Sequence, residues 1–302
     1  MKTRYRAFFA VLNMGLGHAA RSLPIIRFLK EQDWDLYVGS SGRSLEFLKL
    51  ELNDVQFIEL PDYNLKYTTR GVSLNLLLKS IPEVLEKIRL ENIITGQLVE
   101  DKKINVILSD HRYGCYHPTI PSFFLTHQIR FIGPGILRPF EFLGAWFNQY
   151  FHKKYTGIII PDHRENEQGK ISGRLSKLNR NSTGHFSGIL SSVARENHPQ
   201  DIDILFAVSG PEPQRTVLEK LLFSQIDRIP GKKVLVLGKP EKKGTRRISN
   251  DLEVYEYATR SLMQNLFNRS RLIVARSGYS TLMEILELQK NAFFIPTPGQ
   301  TE

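Results

Sequence analysis

Short runs of β-branched and aromatic residues alternate along this chain with longer stretches whose apolar positions recur every three to four residues. That pattern predicts parallel strands crossed over by helices. Tyr5 to Leu12, Asp35 to Gly39, Val55 to Leu60, Asn105 to Ser109, Ser122 to Thr126 and Gly157 to Pro161 read as strands of a first sheet, with helices over Ala19 to Glu31, Ser44 to Glu51, Leu74 to Val99 and Phe140 to Phe151. From Asn166 to Asn181 the composition turns polar and basic, and an interdomain connection is expected near Gly188 to Asp201. A second series follows, with strands at Asp203 to Val208, Lys233 to Leu237, Leu252 to Tyr255, Leu272 to Ala275 and Ala292 to Ile295, and helices at Gln214 to Leu222, Ser261 to Asn268 and Thr281 to Leu288. The expected fold is α/β: two doubly wound Rossmann-like domains, residues 1–190 and 191–302, facing a cleft. Ligands of such sheets bind beyond the carboxyl ends of the strands, so the loops there carry the candidate chemistry.

Composition narrows the setting. The single cysteine, Cys115, excludes an internal disulfide and a cysteine-built zinc site, which suits a reducing compartment and makes the cytoplasm the expected location. The apolar run Ala7 to Leu12 is too short for a secretion signal, and no apolar run approaches the ~18 residues that cross a bilayer. Forty-one Lys and Arg against thirty-one Asp and Glu give a formal charge of +10, which points to an anionic partner: nucleotide phosphate, nucleic acid or an acidic lipid surface.

The first candidate loop is Asn13-Met14-Gly15-Leu16-Gly17-His18, between a strand and a helix. Gly15 and Gly17 permit a tight turn and close approach of a ligand, and the helix start behind them favours negative charge. The spacing Gly15-x-Gly17-x-x-Ala20 also fits a dinucleotide site, but the second strand ends Gly39-Ser40-Ser41-Gly42-Arg43 without the acidic residue that holds a ribose; Arg43 leaves NADP open and NAD disfavoured. His18 at the mouth of the cleft can accept a proton from an attacking hydroxyl, or it can simply cap its helix. Asp110 can orient that imidazole, although a turn cap in Ser109-Asp110-His111 is the role its setting favours. A second loop, Ser209-Gly210-Pro211-Glu212-Pro213-Gln214-Arg215, can cradle a phosphate at a helix start or be a plain turn. The third is Arg276-Ser277-Gly278-Tyr279-Ser280-Thr281-Leu282-Met283-Glu284: Ser277 and Gly278 can donate to a diphosphate and Glu284 can accept ribose hydroxyls, but Thr281-x-x-Glu284 is also capping-box spacing, which on spacing alone is the stronger reading.

Arg276-Ser277-Gly278, then Thr281-x-x-Glu284, then a β-run into Pro296-Thr297-Pro298-Gly299-Gln300-Thr301-Glu302, resembles the nucleotide-sugar motif of GT-B glycosyltransferases. The likeness is strongest to the family of the lipid II-forming N-acetylglucosaminyltransferase of peptidoglycan synthesis, whose glycine-rich first loop Gly15-Leu16-Gly17-His18 also resembles. The resemblance implies that Glu284 binds the donor ribose, Ser277 and Gly278 meet the diphosphate, Tyr257 and Ala258 frame the base, and Gln300 joins the donor-binding set. It places His18 near the acceptor hydroxyl. It also implies a second domain that continues past Glu302, so that domain is expected to be incomplete within this chain.

The expected activity is therefore inverting, metal-independent transfer of a sugar from a nucleotide-diphosphate donor, UDP-linked by the resemblance, to a carbohydrate or lipid-linked acceptor. His18 serves as base with Asp110 behind it; Gly15, Gly17, Ser209 and Gly210 join Tyr257, Ala258, Ser277, Gly278, Glu284 and Gln300 on the donor side. No cofactor and no metal are expected, since no Asp-x-Asp pair ends a strand. The rivals are a nucleotide-sugar epimerase of the same architecture and a nucleic-acid-binding protein. The latter needs a basic stripe interleaved with aromatics, whereas clusters such as Lys239 to Arg247 read as solvated loops, so nucleic acid is not expected as a partner. The stretch Ile136 to Tyr155, crowded with aromatics, reads first as a helix buried under the sheet and alternatively as a peripheral contact with an anionic membrane.

Overall fold

A computed structural model describes residues 4–64, 74–130, 132, 141–178, 184–242 and 244–298. The first sheet contains β1 (Arg6–Val11), β2 (Asp35–Ser40), β3 (Gln56–Glu59), β4 (Val106–Asp110), β5 (Ser122–Leu125) and β6 (Gly157–Ile160). A two-residue hairpin, β7 (Arg164–Glu165) with β8 (Gln168–Gly169), precedes a seventh strand, β9 (Gly184–Phe186). The sheet is parallel throughout, in the order β3-β2-β1-β4-β5-β6-β9. Helices α1 (Gly17–Glu31), α2 (Gly42–Glu51), α3 (Leu74–Lys102) and α4 (Glu141–His152) belong to this half.

Alternation along β1 explains the layering. Ala7, Phe9 and Val11 pack with Ala19, Leu23 and Ile26 of α1 and Phe47 and Leu48 of α2, whereas Phe8 and Ala10 pack with Leu98 and Val99 of α3. A strand buried on both faces reads as a continuous apolar run, as Ala7 to Val11 does.

The second half repeats the plan. Strands β10 (Ile202–Ala207), β11 (Lys233–Val236), β12 (Thr245–Ser249), β13 (Leu252–Tyr255), β14 (Ser270–Arg276) and β15 (Asn291–Ile295) lie in the order β12-β13-β11-β10-β14-β15, and only β12 is antiparallel. Helix α5 (Gln214–Gln225) covers one face through Leu218, and α6 (Arg260–Arg269) and α7 (Tyr279–Leu288) cover the other through Met263, Leu266, Phe267, Ile285 and Leu288. Between β9 and β10 the segment 187–201 carries no helix or strand.

Three expectations change. The polar stretch from Asn166 begins at the turn of the β7–β8 hairpin, holds β8 and leads to β9, elements too short to show a period in sequence. The basic cluster Lys239 to Arg247 is not wholly loop: from Thr245 it forms β12, an edge strand exposed at every residue. Helix α4 is not buried under the sheet. Phe142, Leu143, Trp146 and Tyr150 are 64, 52, 65 and 50% exposed, and only Asn148 and Phe151 are fully inside. Residues 136–140 of that stretch lie outside the described residues.

One buried ion pair ties the strand ends of the first domain. Arg112, just after β4, donates from Nη1 to Glu91 Oε1 of α3 (2.8 Å) and to the Pro61 carbonyl (2.5 Å), from Nε to the Val11 carbonyl (2.9 Å), and from Nη2 to Ser41 Oγ (2.7 Å). Glu91 Oε2 in turn accepts from Tyr63 (2.7 Å) and the Gly114 N–H (3.0 Å). Neither side chain reaches solvent, and burial pushes the Glu91 carboxyl above its ordinary value despite the guanidinium beside it. Removing one partner of such a pair strands the other charge. Arg112→Met is expected to cost about 3 to 5 kcal/mol in urea unfolding, with part recovered in the Glu91→Leu/Arg112→Met double variant. A loss below about 1 kcal/mol for the single variant would show that the pair does not fasten these loops.

Candidate functional site

In both sheets the strand order reverses beside the first strand, and the crevice at such a switch point is where ligands of doubly wound sheets sit. In the first domain it lies beyond β1 and β4, where the chain runs through Gly15, Gly17 and His18 and, opposite, Asp110. In the second it lies beyond β10 and β14, where Ser209, Gly210, Ser277 and Gly278 follow the strands. The two crevices face each other across a cleft of about 200 Å³.

Gly15 has φ +74°, a left-handed conformation that a side chain disfavours, and it turns the chain from β1 into α1. Gly17 opens α1, and a Cβ there would lie 3.2 Å from Ser280 Oγ of the second domain. The close approach expected of this loop is thus made by the other domain, whose Ser280 donates to the Gly17 carbonyl (2.8 Å). The first helical bond runs from Ala20 N to Leu16 O, leaving the N–H groups of residues 17–19 without an intrahelical acceptor.

His18 does not cap α1. Its Nδ1 lies 2.7 Å from Asp110 Oδ1, and the ring lines the cleft. Asp110 is wholly buried at the end of β4 and is not a turn cap. It accepts from Arg21 through both carboxylate oxygens, from Arg21 Nε at 2.8 Å, and from Ser22 Oγ at 3.0 Å. Burial alone would raise its pKa, but the Arg21 guanidinium and then His18 outweigh that and hold the carboxyl far below its usual range. Arg21 Nη2 also approaches His18 Nδ1 at 2.9 Å, which puts two readings of the ring in competition. A guanidinium only donates and a carboxylate only accepts. Were Nδ1 the acceptor, its lone pair would face the carboxylate at 2.7 Å, so the pairing with Asp110 favours the tautomer with the proton on Nδ1 and the lone pair on Nε2. Arg21 Nη1 meets His127 Nδ1 at 2.9 Å, and His111, buried behind, is pushed down by desolvation and by the charges of His18 and Arg21.

On the second-domain side Ser209, Gly210, Tyr257, Ala258, Gly278 and Glu284 line the cleft. Ser277 is adjacent but does not line it, and Gln300 lies outside the described residues. The capping-box reading of Thr281 and Glu284 fails, because Gly278 is the N-cap of α7 and Thr281 is already its third residue. Glu284 Oε1 instead pairs with Arg260 and accepts from Ser192 Oγ (3.0 Å). The first bond of α7 runs from Leu282 N to Gly278 O, so the N–H groups of residues 279–281 open toward the cleft. Arg276, 5% exposed, gives Nη1 to the Pro296 carbonyl (2.7 Å) and Nη2 to the Gln214 carbonyl (3.2 Å); among the described residues it meets no carboxylate and its Nε meets no acceptor.

Several contacts close the cleft. Glu51 Oε1 of α2 accepts from Tyr257 Oη (2.9 Å) and the Arg260 N–H (2.8 Å), and Arg43 reaches the Gly238 carbonyl (2.5 Å) and Glu241 (3.3 Å). Arg43, the residue that left NADP open, is therefore engaged across the domains. The sequence reading did not single out Arg21, His127, Arg260 or Tyr279. Arg21 stands one helical turn after His18 and His127 just after a strand end, positions that could have found both; nothing local marks Arg260.

Set against solved structures, the whole chain has the GT-B glycosyltransferase fold. It is similar to the glycosyltransferase SnogD from Streptomyces nogalater (13% identity, 97% of this chain and 83% of that one, TM-score 0.57). It is also similar to MurG of Acinetobacter baumannii (11%, 98% and 80%, 0.55) and to Arabidopsis thaliana UGT89C1 complexed with UDP-L-rhamnose (14%, 98% and 80%, 0.58). Residues 217–302 match the family model of the glycosyltransferase family 28 C-terminal domain. None of the curated proteins matches the chain by sequence. With that domain in its second half, the chain is a glycosyltransferase.

Because Asp110 titrates lower folded than unfolded, its contribution to stability is complete above the ordinary carboxylate range and is lost progressively as pH falls below that range toward the depressed folded-state value. Asp110→Asn is expected to be about 3 to 5 kcal/mol less stable than the parent at pH 7. That gap should narrow by about 1.4 kcal/mol per pH unit below about pH 4, read from urea unfolding at pH 7, 4 and 3. A gap independent of pH would mean that the ionised carboxylate is not what holds Arg21 and His18.

Proposed function

We propose that this glycosyltransferase moves a sugar from a UDP-linked donor to an acceptor hydroxyl, with inversion and without a metal ion. The observation that carries this is that His18 lines the cleft while its Nδ1 is held by a buried, ionised Asp110. In the step envisaged, the acceptor oxygen attacks the anomeric carbon from the first-domain side while its proton passes to Nε2. The bond between that carbon and the diphosphate oxygen breaks on the opposite side, which inverts the centre. Asp110 then stabilises the imidazolium without taking its proton, as the carboxylate does in a Ser-His-Asp triad. The departing diphosphate meets the open N–H groups of α7 and the Arg276 guanidinium, fixed positive charge where negative charge develops.

The donor's remaining contacts follow from the same side of the cleft. Oε1 of Glu284 is taken by Arg260 and Ser192, which leaves Oε2 for a ribose hydroxyl, with Tyr257 and Ala258 framing the base. Two relatives with this fold were solved with UDP-L-rhamnose and UDP-2-fluoro-glucose, which supports a uridine donor. The family 28 match favours transfer over epimerisation. His18→Ala is expected to lower turnover about 100- to 10,000-fold, the worth of a positioned base, and to leave UDP affinity in calorimetry nearly intact. Near-normal turnover at pH 7 removes the mechanism, whereas loss of UDP binding makes His18 a phosphate contact.

A lipid-linked acceptor and a peripheral place on the cytoplasmic membrane face complete the proposal. Phe142, Leu143, Trp146 and Tyr150 fall on one exposed stripe of α4, and the exposed Lys153 and Lys154 follow directly. No helix among the described residues is long and apolar enough to cross a membrane. Co-sedimentation with anionic vesicles is expected at low salt, falling as salt screens the lysines and lost in Trp146→Ser/Phe142→Ser. Absence of binding at low salt rules the surface contact out.

A further inference from the structure

Tyr279 is the first residue of α7, directly after the Gly278 turn of the donor side, yet its side chain is directed at the first domain. It is buried, and its ring lies on that of His127 with centroids 3.9 Å apart and planes within 5°. Its hydroxyl proton is shared between the Pro161 carbonyl (2.8 Å) and Asp162 Oδ2 (3.0 Å), at the end of β6. Asp162 is itself pinned: it accepts from the N–H groups of Ile171 (3.1 Å) and Ser172 (2.8 Å) and from Ser172 Oγ (2.6 Å). The Tyr279 hydroxyl therefore meets a carboxylate that is itself held by three other donor groups.

From His127 the contacts continue without a break. His127 Nδ1 accepts from Arg21 Nη1 (2.9 Å), Arg21 Nε donates to Asp110 Oδ2 (2.8 Å), and Asp110 Oδ1 holds His18 Nδ1 (2.7 Å). Arg21 is a guanidinium with almost no exposed surface, so it must keep its acceptors or move. The Tyr279 ring covers one face of the imidazole whose Nδ1 serves as an acceptor for this buried guanidinium.

We propose that Tyr279 is a positioning residue that makes alignment of His18 depend on the donor-side loop docking against the first domain. Arrival of the loop stacks the ring on His127, fixes Arg21 against Asp110, and so points Nε2 of His18 at the cleft. The proposal rests on the sugar-transfer reading above, in which His18 is the base.

The test compares Tyr279→Leu, Tyr279→Phe and His127→Phe with the parent, measuring kcat, donor KM, UDP affinity and the imidazole nitrogen spectrum of histidine-labelled protein. Tyr279→Leu is expected to lower kcat about 10- to 100-fold, the scale of a misaligned reacting group, with UDP affinity unchanged within about twofold. Tyr279→Phe keeps the stack and is expected to recover kcat to within about fivefold of the parent. Combined with His18→Ala, Tyr279→Leu should add no further loss, because both act through one ring. His127→Phe, which keeps a ring for the stack but removes the Arg21 acceptor, should behave as Tyr279→Leu does and serves if that variant does not fold. A kcat within twofold of the parent for either variant, or losses that multiply with His18→Ala, overturns the coupling. The spectrum separates this failure from that of the sugar-transfer reading, since it needs no turnover. If His18→Ala transfers sugar normally, the reading of His18 as base falls, while loss of the His18 Nδ1–H signature in Tyr279→Leu and its retention in Tyr279→Phe still support the coupling. Unchanged imidazole signals in folded Tyr279→Leu overturn it.

Discussion

The site is organised by a single carboxylate with no exposed surface. Asp110 must find a partner for each lone pair that water would otherwise satisfy, and it finds them on α1: Arg21, Ser22 and His18, three residues within one and a half turns. Because these partners share one helix, the carboxylate ties down the rotation of α1 about its axis, on which the direction of His18 depends. The position of Asp110 follows from the sheet: as the last residue of β4, paired in register with Val11, it stands where the strand order reverses. The glycine turn at Gly15 then has only to bring the start of α1 over it.

Arg112, two residues after Asp110, does the complementary task. Its guanidinium gathers the carbonyl ends of β1 and the segment after β3, the start of α2 and the middle of α3. One short segment thus carries an anion that orders the cleft side and a cation that orders the loops behind it. Both depend on low dielectric, where a paired charge is directional and an unpaired one is costly.

Much of this was legible in the sequence, and what was not has a physical reason. The long strands and helices show because both faces of each sheet are covered, which forces unbroken apolar runs such as Ala7 to Val11 and helices of clear period. β9 and the β7–β8 hairpin did not show, since two or three residues carry no period. The same applies to β12, whose exposed edge has no apolar face to reveal it. Gly15, Gly17, His18 and Asp110 were singled out because ligands of doubly wound sheets bind at strand ends, but the sequence could not tell a turn cap from a buried carboxylate until β4 was paired with β1. Thr281-x-x-Glu284 misled in the opposite way. Capping-box spacing is local, whereas the actual partner of Glu284, Arg260, comes from a different helix and is set by the packing of α6 against α7.

Helix α4 joins the cleft to the outer surface. Its inner side, Phe147 and Phe151, packs with Leu12 and Met14 of the strand and loop that lead to His18 and with Tyr113 after β4, while Tyr113 Oη donates to Asn148 Oδ1 (2.9 Å). Its outer side carries the exposed Phe142, Trp146 and Tyr150. A helix with apolar residues on both sides has no sequence signature that distinguishes core from exposed face, which is why the buried reading preceded the structure. The arrangement explains why such a helix is useful in the proposed reaction. If the outer face rests on a lipid surface, the inner face sets the height of the Gly15 to His18 loop above that surface, so an acceptor anchored in the bilayer would meet Nε2 at a distance fixed by packing and not by diffusion.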